Sequence, residues 1–218
     1  SMVHPRVLRA MSTPLLGHLD PEFLTIMNQV QALLRAVFET QNPFTIAVSG
    51  TGSAGMEAAL VNLIEPGDQV IVGVNGVFGT RMADIVGRAG GRPVKIEAPW
   101  GQIIDLQRLE DALKQAGAVK AVALVHAETS TGAHQPLEDV GALCRRHGAL
   151  LIVDAVTSLG GVPVQVDAWG IDACYSGTQK CLSCPPGLSP LTLSPRALEV
   201  LKARKTKVQS WYLDMSMI

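Results

Sequence analysis

Short apolar segments alternate with segments of helical periodicity along most of this chain, and this alternation restricts its possible folds most. The sequence predicts strands over 45–48, 69–74, 92–96, 119–125, 149–153 and 171–176. Apolar residues at helical spacing predict helices over 21–40, 80–88, 106–115 and 137–147, and one that ends at Leu63. Strands and helices joined by short connections predict an α/β fold, a three-layer sandwich with a mainly parallel sheet covered on both faces.

The helix beginning near Pro21 has clear start signals and divides the chain into two predicted parts. Asp20 suits the N-cap, and proline suits the first helical position. Residues 1–20 show no clear periodicity and are predicted to form an N-terminal segment. Because no repeat, low-complexity tract or long linker follows, residues 21–218 are predicted to form one domain.

The composition excludes several classes of protein. The 218 residues are 47% hydrophobic and 17% charged, with a formal net charge of −1, as in an ordinary globular protein. Without a basic cluster, we expect no nucleic-acid partner. With no apolar stretch of transmembrane length and no secretory signal pattern, we expect no membrane association and a cytoplasmic location. The basic run at 202–207 is interpreted as a solvated helix end.

Cys181 and Cys184 have the C-x-x-C spacing of a redox site or half of a zinc site. The sequence contains no second C-x-x-C and no paired histidines that would complete a metal site. We therefore expect reduced cysteines and no bound metal.

One lysine follows the last predicted strand, in Tyr175-Ser-Gly-Thr-Gln-Lys180. The carboxyl edge of an α/β sheet is where ligands bind. A desolvated lysine can lose its proton there and attack a carbonyl to form a Schiff base. Most lysines are solvated surface charges, so Lys180 is informative only together with the other junctions.

Three further junctions carry groups that could bind a ligand. Thr51-Gly52-Ser53 opens a helix, where backbone N–H groups and the helix dipole favour a phosphate, although the loop could be a plain helix cap. Phe78 could stack on a planar ring or belong to the core. Thr129, in Glu128-Thr-Ser-Thr-Gly132, could hydrogen-bond a ligand or belong to a self-capping turn.

Asp154 directly follows the apolar strand Leu150-Leu-Ile-Val153. A carboxylate in this position must be paired, act as a cap or be functional. Facing a pyridine nitrogen, it would keep that nitrogen protonated, as in pyridoxal phosphate (PLP) enzymes. The four junctions and Lys180 together indicate one ligand with a phosphate, an aromatic ring and an aldehyde.

Four segments extend these junctions into longer motifs: Gly50-Thr-Gly-Ser-Ala-Gly-Met-Glu-Ala-Ala-Leu60, His126-Ala-Glu-Thr-Ser-Thr-Gly132, Val153-Asp-Ala-Val-Thr-Ser-Leu-Gly-Gly161 and Tyr175-Ser-Gly-Thr-Gln-Lys180. They resemble the class V aminotransferases of PLP fold type I, especially the alanine–glyoxylate and serine–pyruvate aminotransferases. The resemblance extends over essentially the whole chain.

The resemblance implies a PLP cofactor and a role for each matching residue. Lys180 corresponds to the lysine that binds the cofactor covalently, and Asp154 to the partner of the ring nitrogen. The other positions that match the family's cofactor site are Thr51, Gly52 and Ser53 at the phosphate, Phe78 and Val156 against the ring, and Thr129 and Gln179 as polar contacts.

The chain also departs from the family pattern. Some relatives have histidine at the position of Ser53, and many have tryptophan at that of Phe78. The family's small C-terminal domain, with the arginine that receives the substrate carboxylate, has no counterpart here. The tyrosine and threonine that complete the phosphate site come from a neighbouring subunit, so the resemblance implies a homodimer with a shared site. We therefore expect the large PLP-binding domain alone.

The implied reaction is transamination between a small amino acid, alanine or serine, and glyoxylate. The alternatives are a ureidoglycine–glyoxylate or other class V aminotransferase, and a catalytically incomplete fragment or dimerisation module. A dinucleotide-binding fold is a further alternative, because Gly50-x-Gly52-x-x-Gly55 matches its fingerprint. That fold also requires an acidic residue after the second strand, which ends near Asn75 without one.

Overall fold

A computed structural model describes residues 2–218 of the chain. The helices are α1 (Pro5–Met11), α2 (Pro21–Phe38), α3 (Gly52–Leu63), α4 (Val77–Arg88), α5 (Leu106–Ala116), α6 (Val140–Arg146) and α7 (Pro195–Lys202), with a final 3₁₀ turn at Met215–Met217. The strands are β1 (Phe44–Ser49), β2 (Gln69–Val74), β3 (Arg92–Glu97), β4 (Ala121–Val125), β5 (Ala127–Glu128), β6 (Ala133–His134), β7 (Leu150–Asp154), β8 (Ala173–Tyr175) and β9 (Leu188–Leu193).

Seven strands form one sheet in the order β1-β9-β8-β7-β4-β2-β3, and β5 pairs with β6 in a separate ribbon. Strands β8, β7, β4, β2 and β3 are parallel to their neighbours in this row, whereas β9 is antiparallel to both β8 and β1. The predicted α/β fold with a mainly parallel sheet is therefore confirmed.

The sheet separates two hydrophobic clusters, because successive side chains along a strand point to opposite faces of the sheet. On β7, Ile152 belongs to the cluster that includes α3, α4 and α7, whereas Leu151 and Val153 belong to the cluster that includes α5 and α6. A sheet buried on both faces explains why β4 and β7 are continuous apolar runs.

Helix α1 and strand β9 are among the elements without a counterpart in the strands and helices predicted from the sequence. Helix α1 lies within residues 1–20 and buries no residue, so it lacks the apolar periodicity that reveals a helix. Strand β9 contains Pro190, which pairs with Ala47 of β1, and a proline within a run argues against a strand in the interior of a sheet. The carbonyl of Pro190 nevertheless accepts a hydrogen bond from the N–H of Ser176 at 2.8 Å, on the side of β8.

Helix boundaries also differ from the prediction. The helix predicted over 137–147 begins later, at Val140, because Pro136 and the turn after it precede the N-cap Asp139. Helix α2 ends at Phe38, followed by Glu39 in the left-handed conformation with φ 49°. No helix within residues 2–218 is both long and apolar enough to cross a membrane.

The interpretation of 202–207 as a solvated helix end is wrong for Arg204. Lys202 does end α7, but the half-buried Arg204 guanidinium packs against the end of α3. Its Nη1 donates to the carbonyls of Val61, Asn62 and Ile64 at 3.1, 3.0 and 2.8 Å. Arg204 therefore satisfies carbonyls that α3 leaves without helical partners.

Candidate active site

The residues singled out from the sequence lie at or just beyond the carboxyl ends of the strands. Thr51 follows β1, Phe78 follows β2, Thr129 follows the β4 end, Asp154 ends β7 and Lys180 follows β8. Because these five strands run in the same direction, their carboxyl ends share one edge of the sheet. Ligands of open α/β sheets bind at this edge.

Asp154 is buried, with 3% of its surface exposed, and both carboxyl oxygens have partners. Its Oδ1 accepts from the N–H of Val156 at 2.9 Å, and its Oδ2 accepts from the Tyr175 hydroxyl at 3.0 Å. Burial raises the pKa of Asp154 to about 6, although these two hydrogen bonds act in the opposite direction. Burial and the neighbouring Asp154 raise the pKa of Tyr175 well above its ordinary value, so this hydroxyl remains a donor.

The glycine turn at the start of α3 packs against the strand ends beside it. A Cβ on Gly52 would lie 2.9 Å from Cγ2 of Val156 and 3.7 Å from Cα of Gly177. The N-cap Thr51 makes no side-chain hydrogen bond to the helix, and the side chains of Thr51 and Ser53 are exposed. The turn therefore brings a helix N-terminus next to Val156 and the loop that leads to Lys180.

Phe78 is half-buried in the first turn of α4 and is linked to the glycine turn through Arg81. The Arg81 guanidinium lies 5.0 Å from the centroid of the Phe78 ring, a distance suited to a cation–π contact. Its Nη1 also donates to the Ser53 hydroxyl at 3.0 Å. The sequence reasoning missed Arg81, although its position three residues after Phe78 on a helix was a usable signal.

Thr129 is exposed, and its hydroxyl hydrogen-bonds the hydroxyl of Thr157, which lies in the turn after Asp154. The preceding residue, Glu128, is buried and binds the first turn of α4. Sequence reasoning missed Glu128 as well. It is an acidic residue three positions after Val125, which ends the buried β4, and therefore lies at the same edge of the sheet as Asp154, which ends β7.

Lys180 and Gln179 are half-buried in the loop after β8, and hydrogen bonds within this loop fix its course. The N–H of Ser183 donates to the carbonyl of Lys180 at 3.0 Å, and the Thr178 hydroxyl donates to the carbonyl of Pro185 at 2.6 Å. The loop is thus an ordered element that presents one lysine at the edge of the sheet.

The cysteines in this loop are free thiols in the structure. Cys181 Sγ donates to the carbonyl of Thr157 at 3.2 Å, and Cys184 Sγ to that of Leu182 at 3.4 Å. Within residues 2–218, no group of three or more His, Cys, Asp or Glu side chains is arranged to hold a metal ion.

A groove of about 690 Å³ lies at the opposite edge of the sheet. Two of its cations already have partners, because Lys120 lies 3.5 Å from Asp68 and Arg196 lies 3.1 Å from the buried Asp172. The carboxyl edge is therefore the better candidate for chemistry.

The carboxyl edge fits a PLP molecule in three respects. The N-terminus of α3 and Arg81 are suited to a phosphate, and the absence of a Cβ on Gly52 leaves the turn open beside Val156. Asp154 is a buried carboxylate fixed by two donors. Lys180 supplies an amine at the same edge.

A sheet of this kind with a lysine loop at its carboxyl edge is the architecture of the PLP-dependent aminotransferases of fold type I. The family model described as aminotransferase class-V matches residues 9–212, so the chain belongs to the class V aminotransferases. The resemblance seen in the sequence is thereby confirmed.

Two named aminotransferases are similar to this chain over most of its length. The alanine–glyoxylate aminotransferase of Rattus norvegicus is 44% identical over 216 residues, covering 99% of this chain and 52% of the rat protein. The (S)-ureidoglycine–glyoxylate transaminase of Bacillus subtilis (strain 168) is 46% identical over 205 residues, covering 93% of this chain and 49% of that protein.

A solved structure shows a similarity over the whole of this chain. The crystal structure of an alanine–glyoxylate aminotransferase from Nostoc sp. superposes with a TM-score of 0.97 at 56% identity, covering 100% of this chain and 57% of that one. The chain therefore spans about half the length of the relatives it matches.

Proposed function

We propose that this chain forms the large domain, residues 21–218, of a PLP-dependent aminotransferase that transfers an amino group from alanine or serine to glyoxylate. The observation that carries the proposal is Asp154, a buried carboxylate at the end of a central strand, with the lysine loop following the adjacent strand. The rat and Bacillus subtilis relatives, both named for glyoxylate, support the acceptor.

Asp154 would set the electronic state of the cofactor. Bound PLP supplies an electron sink that stabilises negative charge on the substrate's α-carbon. Asp154 would hold the ring nitrogen in its protonated form through charge and hydrogen bonding. The protonated ring nitrogen is a cation, and a cation beside Asp154 would lower the pKa that burial raises. The carboxyl group would therefore be ionised when the cofactor is bound. Tyr175 and the N–H of Val156 orient the carboxylate.

The phosphate would bind at the N-terminus of α3. Thr51, Gly52 and Ser53 supply backbone N–H groups and two hydroxyls there, and the helix dipole favours a dianion. Arg81, already hydrogen-bonded to Ser53, adds a positive charge beside this turn. Val156 and Phe78 would lie against the ring, with Thr129 and Gln179 as polar contacts.

Lys180 would have two tasks. Its Nζ would bind the cofactor covalently in the absence of substrate. With substrate bound, the same Nζ, as a free amine, would accept the proton from the substrate's α-carbon as general base and would then donate that proton as general acid. Lys180 is half-buried, which limits its contact with solvent.

The amino donor is open among alanine, serine and ureidoglycine. The Bacillus subtilis transaminase favours ureidoglycine as the second candidate. The resemblance also implies a homodimer in which each subunit completes the other's site. A catalytically incomplete fragment or dimerisation module remains the alternative for the chain taken alone.

The proposal is tested by incubating the protein that carries this chain with PLP, glyoxylate and each donor in turn. Glycine formation, measured by mass spectrometry, is expected with at least one of alanine, serine and ureidoglycine. The Lys180→Ala variant is expected to form none above background. Glycine formation at equal rates by both proteins, or by neither, would contradict the proposal.

A further inference from the structure

Glu128 lies where two loops of the proposed cofactor site meet. Its side chain is 1% exposed, and both oxygens are engaged. Oε2 accepts from the backbone N–H groups of Phe78 at 3.0 Å and Gly79 at 3.2 Å. Oε1 accepts from Ser130, through its N–H at 3.2 Å and its hydroxyl at 2.7 Å. We call this carboxylate with its four donors the Glu128 clamp.

The first turn of α4 depends on the Glu128 clamp for its cap. The N-cap residue is Gly76, which has no side chain to accept from the N–H groups of that turn. Glu128 and Ser130 take its place, since the Val77 N–H donates to the Ser130 hydroxyl at 3.0 Å. A negative group also interacts favourably with the helix dipole at this end.

Gly76 itself makes room for the clamp. A Cβ at this position would lie 2.4 Å from Cγ and 2.5 Å from Cδ of Glu128. The glycine and the glutamate are therefore sterically matched across the two loops, although they lie far apart in the chain.

The clamp joins two positions that the proposed function assigns to the cofactor ring. Phe78 is bound through its own N–H, and Thr129 lies between the two clamp residues Glu128 and Ser130. Hydrogen bonds to a charged group are stronger than those between neutral groups. Movement of α4 relative to the Thr129 loop would break several of them at once.

We propose that Glu128 is a positioning residue that fixes Phe78 and Thr129 relative to each other, so that both reach the same ring. The inference rests on the proposed function and deepens it. Glu128 would not touch the cofactor; it would act through the phenyl ring and the hydroxyl that do.

The Glu128→Gln variant tests this inference, because it keeps the size of the side chain but replaces one acceptor oxygen with an NH₂ group. Without PLP, we expect the amides of Phe78 and Gly79 to exchange hydrogen at least about tenfold faster. We expect the dissociation constant for PLP, measured by equilibrium dialysis, to rise by at least about tenfold. Glu199→Gln, an exposed residue of α7, is the matched control and should change neither quantity.

Each outcome shows whether the clamp, the positioning role or the proposed function is wrong. Unchanged exchange at Phe78 and Gly79 overturns the clamp. Faster exchange with unchanged PLP affinity overturns the positioning role and leaves Glu128 as a helix cap only. If the unaltered protein binds no PLP, the proposed function fails, and the exchange data still decide whether the clamp exists.

A second variant covers a failure of Glu128→Gln to fold. Ser130→Ala removes an exposed hydroxyl that bonds both Val77 and Glu128, and leaves the carboxylate in place. We expect faster amide exchange and a higher dissociation constant for PLP, as for Glu128→Gln, but with smaller changes. Ser130→Ala without any change in exchange at Val77 and Phe78 would also overturn the inference.

Discussion

Asp154 is a carboxyl group in an environment that raises its pKa. Burial favours its neutral form, and hydrogen bonds from Val156 and Tyr175 recover part of the ionised form. The result is a carboxyl group with a pKa of about 6, compared with 3.8 for an unperturbed group. It can therefore become ionised near neutral pH, and a neighbouring cation would favour the ionised form.

This pKa predicts a pH dependence of stability in the protein without cofactor. Between pH 4 and 6 the unfolded chain has released this proton while the folded protein retains it, so the free energy of unfolding falls as pH rises. Asp154 should contribute a fall on the order of 3 kcal/mol across this window. Asp154→Asn should lose this part of the pH dependence in urea titrations at several pH values.

The same variant has a control in Asp84→Asn, which changes an exposed carboxyl group paired with Arg88 on α4. Parallel pH profiles of the free energy of unfolding for the unaltered protein and Asp154→Asn would show that the pKa of Asp154 is not raised. Asp154→Asn should also weaken PLP binding and slow amine transfer by orders of magnitude. Near-normal transfer would refute its role at the ring nitrogen.

At the residue scale, sequence reasoning could predict the ends of strands but not the contacts between loops. Asp154 and Lys180 could be predicted from the sequence because each follows a predicted apolar strand. Arg81 and Glu128 have local signals in the sequence, but their contacts could not be predicted, because their partners lie 28 and about 50 residues away along the chain. Such contacts depend on the order of the strands, which periodicity does not give.

Among the elements, α3 most directly links packing to the site. Its first residue, Gly52, lies against Val156, whose branched side chain has few alternative rotamers. In contrast, a Cβ on Gly87 of α4 would meet nothing within 4 Å. The two helical glycines form a matched pair for mutation.

Gly52→Ala is predicted to destabilise the protein by about 1–3 kcal/mol, because the new methyl group overpacks against Val156. It should also weaken PLP binding, since Val156 would be pushed towards the ring. Gly87→Ala should stabilise by roughly 0.5–1 kcal/mol and leave PLP binding unchanged. Thermal unfolding with and without PLP measures both effects. Equal responses of the two variants would show that Gly52 does not pack as described.

At the scale of elements, the fold was predictable where the pattern is periodic. The central strands and α2 to α5 follow from alternating apolar segments. Helix α1 was not predictable, because it buries nothing, and β9 was not, because Pro190 breaks the pattern of an interior strand. The role of Arg204 depends on a packing contact about 140 residues away in the chain.

At the scale of the whole molecule, α2 exposes a row of large apolar side chains. In this 18-residue helix only Phe38 is buried, whereas Ile26 and Leu33, which lie on one face of the helix, are 43% and 66% exposed. Apolar surface of this kind marks an interaction site or an aggregation risk. The predicted homodimer would cover it.

Substitutions on α2 test the dimer. The unaltered protein should sediment as a dimer, and Ile26→Gln with Leu33→Gln should shift it towards monomer, because each substitution removes apolar contact area. Ile103→Gln, at a 47% exposed position before α5, is the control and should not. A stable monomer that binds PLP tightly would overturn the dimer prediction and show that Thr51, Gly52 and Ser53 hold the phosphate without a second subunit.

The most direct measurement is the site at which PLP becomes attached. The protein is mixed with PLP, reduced with borohydride, digested and analysed by mass spectrometry. We predict visible absorbance before reduction and a label on Lys180, with both lost in Lys180→Ala. A label on Lys202 or Lys205 in place of Lys180, or a chromophore that persists in Lys180→Ala, would contradict the assignment of the active site.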